Sequence, residues 1–193
     1  MSGAELDPSL PQAPLPAAEP VGAERRSRLR RYQAQLLERM HDAKSGNHAA
    51  GRELGVQFGA SRCLLDLTQI GEIVPWQPVS VVPLAQDWYL GLANIRGNLS
   101  GVIDFARYLD YPATPPAADS RIITFSPGLG FNCALLAARV LGLRKLDDMT
   151  PAPLADDVPS WCVQQFLDQE GQLWSRLDLT LLVREERFLQ VGL

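Results

Sequence analysis

WYLGLANIRGNLSGVIDFARYL, residues 88–109, is the stretch on which the reading of this chain turns. Gly91, Gly97 and Gly101 mark places where a strand bends or another backbone comes close. Asn94-Ile95-Arg96-Gly97 has the residue types of a hairpin tip, and it presents one arginine. Val102-Ile103 then enter a core, and Asp104 stands where it can cap a short following helix. Upstream, Ile70-Gly71-Glu72-Ile73-Val74 sets a carboxylate in an apolar strand. A charge in that setting needs water or a partner, because isolated burial is expensive. Arg96 is the natural counter-ion.

Around this stretch the apolar pattern comes in pieces of four to eight residues separated by turn signals. Leu54–Phe58 and Cys63–Leu67 flank Gly59-Ala60-Ser61 as a hairpin. Ile70–Val74, Val79–Val82, Leu99–Ile103, Ile122–Phe125, Asn132–Leu136 and Val140–Leu143 continue the series, and Val163–Leu167 with Leu173–Leu177 close it. Gly128-Leu129-Gly130 reads as a tight turn between two of these strands. Tyr111–Asp119 and Asp147–Pro159 read as loops, and a last helix is expected from Asp178 to about Arg187, capped by Asp178. Many short strands between turns predict a small all-β barrel or sandwich. There is also an internal echo. Trp88 leads to Ile103-Asp104-Phe105 and Trp161 to Leu177-Asp178-Leu179, the two aspartates lying 74 residues apart, which points to two similar small barrels.

The chain has 193 residues, 46% of them hydrophobic, and a net charge of −4. Its charge is uneven. Residues 1–24 hold four acids and no base, and residues 1–23 hold five prolines, the composition of a disordered tail. Residues 24–44 carry seven bases, and Leu29, Tyr32, Leu36 and Met40 fall on one face of a predicted basic amphipathic helix, followed by a linker at 45–52. The acidic remainder lacks the basic face that nucleic acid requires. No apolar run reaches the ~20 residues of a membrane-spanning helix. His41 and His48 lie outside the strand region, away from any acid or cysteine cluster. Asp147, Asp148, Asp156 and Asp157 lack the glycine and glutamate of a calcium loop. Cys63, Cys133 and Cys162 are three widely spaced thiols, neither a zinc set nor a disulfide framework, and they suit a reducing cytoplasm. No cofactor and no metal is expected. Trp88, Trp161 and Trp174 read as core residues, and Trp76, between Pro75 and Pro78, as the most exposed tryptophan.

Ile70-Gly71-Glu72-Ile73 followed by Gly91 through Asp104 resembles the paired signature of the CheW family of chemosensory coupling proteins, over about residues 53–190. That resemblance implies a mainly β fold of two intertwined five-stranded SH3-like barrels, here 53–193, with an N-terminal and a short C-terminal helix. It implies a non-enzymatic adaptor that joins the cytoplasmic tip of a methyl-accepting chemoreceptor to the regulatory domain of a CheA-type histidine kinase, in the cytoplasm beside receptor arrays. By position, Ile70, Gly91, Asn94 and Arg96 match the receptor-facing groove, and Glu72 matches the residue that braces the arginine. The basic N-terminal segment and the tryptophan-rich second half look most like the members that serve type IV pilus twitching motility, the PilI group.

The chain departs from the family pattern in its second half. Ala134-Leu135-Leu136-Ala137-Ala138 lacks the expected glycine and aspartate, and Cys162-Val163-Gln164-Gln165 lacks a glycine after Trp161. Asn98-Leu99-Ser100-Gly101 also lacks a proline often found there. Three other readings stand beside this one: a CheW-like adaptor of flagellar chemotaxis, a small-barrel RNA-binding module, and a cysteine-dependent enzyme. The module would need interleaved bases and aromatics on one face. The enzyme would need a histidine beside one of the three cysteines.

Overall fold

The computed structural model describes residues 52–155 and 157–193, so the expected tail at 1–23, the basic helix at 24–44, the linker up to Gly51 and Asp156 lie outside the described residues. Among the described residues eleven strands form two sheets. In chain order they are β1 (Arg52–Phe58), β2 (Ser61–Asp66), β3 (Ile70–Pro75), β4 (Tyr89–Ile95), β5 (Asn98–Asp104), β6 (Arg121–Phe125), β7 (Cys133–Ala137), β8 (Arg139–Lys145), β9 (Thr150–Ala152), β10 (Cys162–Leu167) and β11 (Leu173–Leu177). Among the described residues α1 (Phe105–Tyr108) follows β5, and α2 (Leu179–Leu182) and α3 (Glu186–Leu189) follow β11.

The five-stranded sheet runs β3-β6-β7-β5-β4, and the six-stranded sheet runs β8-β1-β2-β11-β10-β9. The expected duplication is visible in the ladders. In one sheet β5 pairs in parallel with β7, which pairs antiparallel with β6; in the other β11 pairs in parallel with β2, which pairs antiparallel with β1. The Asp104 N–H donates to the Trp88 carbonyl at 2.8 Å, and the Asp178 N–H donates to the Trp161 carbonyl at the same distance. Strands β1 to β5 therefore correspond to β6, β7, β8, β10 and β11. From its third strand on, each repeat crosses into the other sheet: β3 pairs with β6, and β8 with β1. The barrels are thus intertwined, and the sixth strand is the short β9, formed inside the stretch expected to be a loop. Its counterpart, Val79–Val82, makes only the bridge Ser80–Leu92 and no strand of its own.

Strands buried on both faces explain the continuous apolar runs. Leu54, Val56 and Phe58 of β1, Cys63 and Leu65 of β2, Ile123 and Phe125 of β6, and Leu135 of β7 face a central core shared by the two sheets. Trp88, Phe105, Tyr108, Trp161 and Phe188 pack into the same core. Alternate residues fill each barrel: Leu64, Phe166 and Trp174 in one; Ala93, Ile95, Val102, Ile122, Ala134 and Leu136 in the other. Trp76 is half-buried against this second set and is the most exposed of the four tryptophans, the others being buried.

Local capping differs between the repeats. Asp178 caps α2, its carboxylate accepting from the Thr180 N–H. Asp104 makes no such cap; its carboxylate accepts from the Thr114 N–H and hydroxyl, both at 2.8 Å, and so pins the loop after α1. The expected continuous C-terminal helix is broken into α2 and α3. Leu182 and Phe188 are both buried, yet six residues along one helix face directions roughly 120° apart. The chain must turn between them to bury both.

The two barrels are filled differently at matching ladder positions. Glu53, Asp66, Arg176 and Arg144 of the six-stranded sheet stand where the other has Ile122, Leu136, Val102 and Val74. Buried Glu53 accepts from Arg176 Nε at 2.9 Å, and Asp66 lies 3.6 Å from the same guanidinium. Removing one partner of such a pair is costly, whereas apolar replacement of the whole set is often neutral or better. Arg176→Met should lower stability by ~3 kcal/mol in urea unfolding, and adding Glu53→Ile with Asp66→Leu should recover most of it. Burial also holds the Glu53 carboxyl above its ordinary value of 4.5. Native Glu53 then keeps its proton to higher pH than the unfolded chain does. Stability should therefore fall as pH rises from about 4.5 through its titration, and Glu53→Gln should flatten that slope.

Candidate functional site: the Glu72–Arg96 corner

The hairpin of β4 and β5 closes on two residues, because Ile95 pairs with Asn98. Arg96 and Gly97 fill the turn with φ of +48° and +91°, the pair of positive values that tight hairpins favour. Asn94 Oδ1 accepts from the Gly97 N–H at 2.8 Å, and Gln77 Nε2 donates to the Asn94 carbonyl at 3.0 Å. The tip is therefore braced from within and from the crossing segment after β3. Arg96 projects from it, its side chain 74% exposed, with Nε 2.9 Å from Glu72 Oε2. The contact is one of charge rather than an aligned hydrogen bond. Thr124 fixes the other side: its hydroxyl oxygen accepts from the Glu72 N–H at 2.7 Å.

Ile73 of β3 and Leu99 of β5 are exposed, at 41% and 59%. Glu72 also borders a cleft of about 180 Å³ lined by Gly71, Ile95, Asn98, Ser100, Thr124 and Asn132.

Of the expected site residues, Glu72, Asn94 and Arg96 come together here, and Ile70 and Gly91 do not. Ile70 is partly buried against the central core. Gly91 is buried with φ +132°, and a Cβ there would stand 2.2 Å from the Ser80 carbonyl oxygen. Its role is to let the crossing segment lie on β4. Thr124, Gln77, Ser100 and Leu99 were missed. Thr124 is brought to Glu72 only by the pairing of β3 with β6, which the spacing of residues does not reveal.

The cysteines offer no nucleophile. All three are buried; burial pushes the Cys133 thiol up to about 12 and raises Cys63 and Cys162 as well. Among the described residues no group of three or more His, Cys, Asp or Glu is placed to hold a metal ion, and no helix is long and apolar enough to cross a membrane.

Comparison with known proteins gives three findings. The family model described as CheW-like domain matches residues 53–187. The chemotaxis protein CheW of Rhizobium meliloti (strain 1021) is 30% identical over 94 residues, 48% of this chain and 55% of that protein. The match thus spans about half the length of that relative. The crystal structure of the scaffolding protein TtCheW from Thermoanaerobacter tengcongensis superposes with a TM-score of 0.59 at 18% identity, over 72% of this chain and 95% of that one. At that identity the likeness is one of fold.

A left-handed backbone costs a residue with a Cβ roughly 1–2 kcal/mol, and an exposed ion pair returns only ~0–1 kcal/mol. Arg96→Gly should therefore melt no lower than the natural protein, and Arg96→Val should melt lower; thermal unfolding followed by circular dichroism checks both.

Proposed function

Because the chain belongs to the CheW-like domain family, whose members are non-catalytic scaffolds of chemotaxis signalling, we propose that it couples chemoreceptors to a CheA-type histidine kinase. In this reading the receptor's cytoplasmic tip docks on the corner made by Asn94 and Arg96, with Ile73 and Leu99 as its apolar flanks. Glu72 holds the guanidinium in place, and Ile70 and Gly91 keep β3 and β4 in the positions that present it. The regulatory domain of the kinase binds elsewhere on the same molecule. The adaptor works in the cytoplasm at the edge of a receptor array, and its output is type IV pilus twitching motility, a choice that rests on the basic segment at 24–44 and the tryptophan-rich second half.

The observation that carries the reading is the arginine itself. Arg96 is held at φ +48° on an exposed turn, where glycine or asparagine would be less strained, and it keeps a charge that contributes little to stability. We read a charge placed at such a position as one that meets a partner outside the molecule as well as Glu72. Coupling further requires that the docked adaptor differ in its contacts with the two signalling states of the receptor, since an equal contact shifts nothing.

Titration calorimetry of the full chain against a receptor cytoplasmic tip and against the kinase regulatory domain tests this. Both should bind, and Arg96→Glu should lose the receptor fragment while keeping the kinase domain and its own melting temperature. Silence toward both fragments by the folded protein would overturn the proposal.

A further inference from the structure

The internal repeat supplies a second copy of the cleft behind Arg96, and the two copies are not alike. Ser100 pairs with Ala93 and precedes Gly101, which pairs with Cys133. Trp174 pairs with Phe166 and precedes Ser175, which pairs with Cys63. Ser100 and Trp174 are therefore equivalent, as are Asn132 and Arg62, Ala134 and Leu64, and Thr124 and Gly55.

In the six-stranded barrel this end is plugged. Trp174 is wholly buried, its Nε1–H donates to Asp168 at 2.8 Å, and the guanidiniums of Arg62 and Arg144 lie 5.7 and 5.0 Å from its ring. Gly55 leaves the ring its room, since a Cβ there would stand 3.0 Å from it. In the five-stranded barrel every one of these choices is reversed. Serine stands for tryptophan, alanines for Phe166 and Leu64, an asparagine for the covering arginine, and Thr124 for Gly55. The end is left open as the cleft of about 180 Å³ beside Glu72.

We propose that this cleft is an anchor pocket that takes one neutral, amide-bearing side chain, a Gln or Asn, from the protein docked on the Arg96 corner. Ile95, Phe125 and Cys133 give its walls apolar surface for the stem of such a side chain. The Ser100 hydroxyl and the side-chain amides of Asn98 and Asn132 offer both donors and acceptors to its head. Glu72 at the rim is paired with Arg96, so the rim carries no net charge to favour an acid or a base over a neutral amide. Ser100 is then the residue that decides which barrel receives a partner's side chain. The inference rests on the reading of the Arg96 corner as a docking surface.

Its test has two parts that fail separately. Nitrogen-15 spectra of the full chain are titrated with propionamide and, in parallel, with propionate. Propionamide should move the amide signals of Ser100, Thr124 and Cys133; propionate should not. Ser100→Leu, which fills the cleft, and Asn132→Leu, an exposed rim position that the fold tolerates, should each abolish the response. Unmoved signals at high propionamide concentration, equal shifts with propionate, or shifts that survive both variants would overturn the pocket. In calorimetry against the receptor tip, the same two variants should weaken binding at least tenfold, ~1.4 kcal/mol, while leaving the Glu72–Arg96 pair intact. Undiminished affinity in both variants would also overturn it. A tip that fails to bind even the natural chain removes the docking reading, and the propionamide titration still judges the cleft.

Discussion

The crossing that begins at β3 and at β8 is the constraint on which the rest of the molecule depends. Each barrel joins the first two strands of one repeat to the later strands of the other, so neither repeat can close a barrel alone. The exchange also places β1, β2, β6 and β7 back to back, and their outward faces become the central core. The aromatic side chains of that core, Trp88, Tyr108 and Phe188 among them, meet edge-on or stacked at 5.3–6.3 Å. β3, β4 and β5 cross together, and Glu72 reaches the β4–β5 turn in a sheet whose middle strands, β6 and β7, come from the other repeat. The site is a product of the crossing, not of either repeat alone.

A shared backbone plan has been filled with opposite chemistry at the two ends of each barrel. One barrel holds a buried tryptophan at one end and the Glu53–Arg176–Asp66 charges at the other. Its twin holds small residues at the first end and a tight aliphatic cluster at the second. Buried charge of this kind adds little stability compared with well-packed hydrocarbon, so the aliphatic end of the five-stranded barrel supports an open cleft at its other end. Volume removed at one place is matched by volume kept at another, as close packing demands.

Much of this was legible in the sequence, and the limits follow from physics. Nearly every strand announced itself, because its residues alternate between two buried faces and stop at Gly, Pro or Asp. The Glu72–Arg96 pair was legible because a carboxylate in an apolar strand needs a counter-ion, and few arginines were near. The echo of Trp88 and Trp161 was legible too, and the matched backbone bonds at Asp104 and Asp178 give it a structural meaning. What sequence left hidden was chiefly pairing across distance. Thr124, Ser100 and Asn132 reach the site through sheet neighbours, and β9 forms only because β10 offers it an edge. The C-terminal helix was misjudged because periodicity does not show that Leu182 and Phe188 must both be buried.

The parallel ladder between β2 and β11 joins Cys63 to Ser175, residues near opposite ends of the described region. As the ribosome releases the first hairpin, both of its lateral partners, β8 and β11, are still unmade. Long-range closure of this sort is slow, and the waiting strands carry the apolar faces that will form the core, a state exposed to misassociation. Cutting the chain between its two sequence repeats would not give two barrels: each fragment would keep two strands of one barrel and the later strands of the other. The unit that can be inherited, transplanted or trimmed is the whole interlaced pair.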